Sequence, residues 1–60
     1  MHNENFFMNL IRDTYKLFYV VLNSDDVEIV TKGCFELKEN IDNIYKYKIR
    51  DILEHKNKSV

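Results

Sequence analysis

Hydrophobic residues fall along this chain in several different patterns, and each predicts a different element. From Tyr15 to Leu22 the run Tyr-Lys-Leu-Phe-Tyr-Val-Val-Leu is apolar on both of its alternating faces, apart from Lys16. Aromatic and β-branched side chains suit a pleated surface, so this run predicts a first strand covered on both sides. Asn23-Ser24-Asp25-Asp26 follows. Its short polar side chains hydrogen-bond to nearby backbone and favour a turn. Val27 to Lys32 then reads as a second strand that completes a hairpin, and Gly33 ends it. Between Cys34 and Asn43 the spacing becomes weakly helical, with Leu37 and Ile41 four apart. That predicts one or two turns of helix.

The pattern is most regular from Ile44 to Arg50. Tyr45, Tyr47 and Ile49 alternate with Lys46, Lys48 and Arg50. A period of two predicts a third strand with one dry face, continuing loosely to Leu53. The order is therefore β-β-α-β, an α+β unit with a small three-stranded antiparallel sheet and one short helix. Residues 13–53 form the domain. Residues 1–12 are an N-terminal extension with a frayed start, in which Phe6 to Ile11 fits either a helical turn or a strand arm. Residues 54–60 are a polar tail.

Composition adds a demand for a partner. A chain of 60 residues buries only about 60% of its unfolded surface. Cys34 is the single cysteine, so no internal disulfide is available, and His2 and His55 share no ligand spacing with it. No metal or other cofactor is expected. Yet 45% of the chain is apolar, with four Phe and four Tyr, more than one small core encloses. These features predict a homodimer. A lone thiol fits a reducing cytoplasm. No apolar run approaches the roughly 18 residues of a membrane span, and the start of the chain lacks a signal peptide's pattern.

Charge is segregated. Between Asp25 and Asp42 six carboxylates (Asp25, Asp26, Glu28, Glu36, Glu39, Asp42) face two lysines. Residues 43–60 are net positive, and the whole chain carries only −1. So small a domain must turn that acidic segment to solvent, where it meets water or a cationic partner.

Catalysis finds little material. A nucleophile needs an adjacent base, and Cys34 has no histidine within ten residues. The paired Asp25-Asp26 suits a turn better than a metal, and no glycine-rich phosphate loop is present. The chain is read as a non-enzyme. Nucleic-acid binding by a Lys46, Lys48 and Arg50 face is one alternative. In a strand, however, Tyr45 and Tyr47 would point away from those cations, so no single surface offers both charge and stacking.

Several short features occur in a familiar order: Asp13-Thr14-Tyr15, Asp25-Asp26, Lys32-Gly33, Phe35-Glu36, then Asp42, Ile44 and Lys46 with Ile49 and Leu53. Over residues 13–53 the chain resembles the small uracil-DNA glycosylase inhibitors of Bacillus phages. The resemblance implies a cytoplasmic protein of the infected host, a homodimer that mimics DNA and blocks the host uracil-DNA glycosylase without itself binding nucleic acid. Carboxylates would replace phosphates, and an apolar recess would capture the leucine the enzyme inserts into the duplex. Phe35, Glu36, Glu39, Asp42, Asp25 and Asp26 become the expected partner-binding residues. The chain departs from the family in having Glu39 where a helix aromatic is expected. A further alternative is a small protein-interaction module that inhibits another nucleic-acid enzyme or acts as an antirepressor.

Overall fold

In a computed structural model, which describes residues 4–58, the chain is an antiparallel hairpin of two helices. Helix α1 spans Glu4–Asn23 and helix α2 spans Val27–Lys58. No strand occurs among the described residues, so the expected α+β fold with its three-stranded antiparallel sheet is overturned. Residues 4–12 of the expected extension are the first turns of α1. Residues 54–58 of the expected tail continue α2. The remaining ends, 1–3 and 59–60, lie outside the described residues.

The physical reason is a repeat of seven that alternation had concealed. In α2 the less exposed positions are Val30, Gly33, Leu37, Asn40, Ile44, Tyr47 and Asp51. They are spaced alternately three and four apart, the spacing of a coiled-coil seam. In α1 the matching positions are Phe7, Leu10, Thr14, Leu17 and Val21. On a helix Tyr45 and Ile49, four apart, lie about 40° from one another, whereas Tyr47 between them is turned to the other side of the helix and packs on Phe7, so the three make no single face. The chain also lacks proline, and nothing between Val27 and Lys58 breaks a helix except one glycine.

The connection carries the helix-starting chemistry. The Glu28 backbone N–H donates to Asp26 Oδ1 (2.9 Å), and the Asp26 N–H donates to Ser24 Oγ (3.0 Å). The Val30 N–H reaches the Asp26 carbonyl (3.0 Å), closing the first turn. Asp26 is thus the N-cap of α2, and its carboxylate satisfies a donor that helix geometry leaves unpaired. Glu28 in the first turn adds favourable charge at that end.

The seam is closed differently at its two ends. Near the connection, Gly33 is buried, and a Cβ added there would run into the Val21 side chain. Glycine lets the two helices approach closely at that level, at a cost of about 1 kcal/mol in helix propensity. At the open end Phe7 and Tyr47 stack, with ring centroids 4.4 Å apart and planes 14° from parallel. Between them Thr14 is buried and donates to the Leu10 carbonyl at 2.7 Å, which satisfies its hydroxyl. Leu37, 7% exposed, is the one large apolar side chain among those described that is buried, and none is fully enclosed. A seam between two helices is all the core this hairpin has.

Candidate functional site

Each helix carries a second set of side chains one residue beyond the seam, a rotation of about 100°. Because the helices run antiparallel, that step turns both sets to the same broad side of the hairpin. On α1 the set is Met8, Ile11, Tyr15, Phe18 and Leu22, with no polar member. On α2 it includes Cys34, Ile41, Tyr45 and Ile52. Tyr15, Leu22 and Tyr45 are among the most exposed apolar side chains in the chain. The result is an open apolar side without a carboxylate from Met8 to Leu22 or from Cys34 to Ile52. Its cations are Lys38 and Lys48, and Lys38 swings outward, its ammonium 5.8 Å from the centre of the Phe35 ring.

One residue before the seam, the chemistry reverses. Asp13, Lys16 and Val20 from α1 meet Glu36 and Glu39 from α2 around an open groove of about 460 Å³, floored by Leu17 and Asn40. Asn43, Lys46 and Arg50 continue this polar side along α2.

The expected site residues are dispersed over this frame. Glu36 and Glu39 share the groove. Asp42 is on the outer edge of α2, where it pairs with Lys46 at 3.1 Å. Asp25 sits at the tip of the connection, and the carboxylate of Asp26 is engaged in capping. Phe35 points outward, 65% exposed, and is not part of the groove that holds Glu36 and Glu39. The cationic face also dissolves: Lys46 and Arg50 fall on the polar side and Lys48 on the apolar side, while Tyr47 is turned inward against Phe7.

No family model, curated protein or solved structure matches this chain. The reading of its function therefore rests on its own surfaces.

No group of three or more His, Cys, Asp or Glu among the described residues is arranged to hold a metal. Cys34 is an exposed free thiol on the apolar side. No helix among the described residues is long and apolar enough to cross a membrane. The apolar side was missed in the sequence because its members look like a strand when read in steps of two. Read in steps of three and four, Met8, Ile11, Tyr15, Phe18 and Leu22 are a stripe of their own.

Proposed function

We propose that this chain is a non-catalytic protein-interaction module, which works by packing the apolar side of its hairpin against other helices. One observation carries the reading: a second apolar stripe on both helices, turned to one side and left open. Two helices need one stripe each to hold together, and a helix that is apolar over more of its circumference is covered by more than one neighbour. Contiguous exposed apolar patches mark contact surfaces on proteins.

The glycosylase-inhibitor reading draws nothing from this geometry. It needs a sheet, which the described residues lack, and a recess beside Phe35, which points to solvent. Its carboxylates are divided among the groove, the outer edge and the helix cap.

Site-resolved photocrosslinking tests the proposal. A photoreactive amino acid at Tyr15 or Ile41 should give discrete protein adducts in cells that express the chain. The same group at Arg12 or Lys46, off the apolar side, should give none. Equal labelling from all four positions, or none from any, would overturn the reading.

A further inference from the structure

We propose that the occupant of the apolar side is a second copy of this chain, so that two hairpins close into a four-helix bundle about a two-fold axis. The inference rests on the interaction reading above and names its partner.

Surface area is the first argument. The chain exposes 5469 Å², whereas a compact protein of 7.3 kDa exposes about 4,200 Å². The excess, about 1,300 Å² per chain, is above the roughly 800 Å² that each partner gives to a standard interface and falls in the range of obligate homodimers. Shape agrees with it. The molecule measures 51 × 17 × 14 Å, with a radius of gyration of 14.8 Å, against about 10 Å for a compact chain of this length. Laying a second hairpin against the broad side thickens the short dimension without lengthening the long one.

Charge and closure are the second argument. A two-fold axis sets every residue of the face against the same face of the partner, so a self-pairing side must tolerate its own charges. From Met8 to Leu22 on α1 and from Cys34 to Ile52 on α2 this side presents no carboxylate, and with Lys38 drawn off it toward Phe35 the charge that remains on it there is Lys48. The opposite side carries Asp13, Glu36 and Glu39 beside Lys16, Lys46 and Arg50, so self-pairing there would take a set of charges of both signs out of water. The apolar side is thus the one favoured for pairing, and the polar side is the one left in water. Association therefore stops at two and does not run on into a filament.

The test is sedimentation equilibrium of the full chain under reducing conditions, from low micromolar to about millimolar, with the thermal midpoint followed over the same range. A dimer gives twice the 7.3 kDa mass and a midpoint that rises with concentration. The paired variants are Tyr15→Glu and Tyr19→Glu, at positions 69% and 71% exposed in the single chain. Tyr15→Glu, on the apolar side, should weaken dimerisation at least a hundredfold. Tyr19→Glu, on the outer edge of α1, should leave it within about threefold. Wild-type Cys34 should also react more slowly with a thiol reagent as concentration rises, a readout that does not depend on a variant folding.

A single-chain mass at every concentration, or an assembly larger than two, would overturn the inference. An apolar fluorescent dye then separates the two levels. A monomer whose dye binding is lost in Tyr15→Glu overturns only the second copy as occupant. A monomer that binds no dye overturns the interaction reading as well.

Discussion

Val20 and Ile41 are almost equally exposed in the single chain, 47% and 49%, yet they lie on opposite sides of the same hairpin. Val20 is set among charged neighbours, beside Asp13, Lys16, Glu36 and Glu39. Ile41 belongs to a continuous apolar surface that includes Ile11, Tyr15 and Tyr45. Scattered exposed apolar residues are normal on soluble proteins, whereas contiguous ones mark contact. Exposure alone does not identify a functional surface; its neighbours do. The same hairpin therefore has one side suited to water and one suited to another helix.

The largest effect expected is the one that separates these two residues. Ile41→Glu should raise the dissociation constant of the pair a hundredfold or more, equivalent to about 2.7 kcal/mol, because a carboxylate would be buried unpaired. Val20→Glu, on the polar side, should change it by less than about threefold. Sedimentation on both variants makes the comparison, and equal effects would break it.

The seam should respond next. Gly33→Ala gains helix propensity but forces a methyl into Val21, and overpacking of this kind costs about 1–3 kcal/mol. A net loss of about 1 kcal/mol in denaturant unfolding is expected, with the helices spread at the connection. A stabilised variant would show that the close approach at Gly33 contributes nothing. Removing the cap is comparable: Asp26→Ala should cost about 1 kcal/mol, while Asp26→Asn, which retains the acceptor, should cost only a few tenths of that. Smallest is the exposed pair Asp42–Lys46. Asp42→Ala should cost no more than about 0.5 kcal/mol, and the difference should shrink in 1 M salt.

Part of this architecture is legible in the sequence, and the illegible part has a physical cause. Asn23 to Asp26 reads as a turn, and it is the connection between the helices. The excess of apolar residues over what one small core encloses is equally plain, and it now has a location on the open side. Secondary structure was not legible by alternation. Ile44 to Arg50 fits a period of two over seven residues, but Val30, Gly33, Leu37, Asn40, Ile44, Tyr47 and Asp51 fit a period of three and a half over three times that length. The longer pattern is interrupted by Gly33, Asn40 and Asp51, which occupy seam positions without looking apolar. Tyr15 to Leu22 misled for the opposite reason. A helix with two apolar stripes is apolar at almost every step, like a strand covered on both sides.

The site residues were misplaced for the same reason. Phe35 and Glu36 are neighbours in sequence, but a helix turns them about 100° apart. One therefore reaches the outer edge while the other enters the groove. Residues chosen for being adjacent in sequence seldom share a helical face.

The most direct test of the account uses the two residues of equal exposure. A water-soluble paramagnetic agent is added to the purified chain at a concentration where pairs form, and the methyl signals of Val20 and Ile41 are followed by NMR. If the apolar side is covered by a second copy, Val20 broadens strongly and Ile41 is protected several-fold. Broadening of the two to the same extent, as the single hairpin alone would give, would contradict the account.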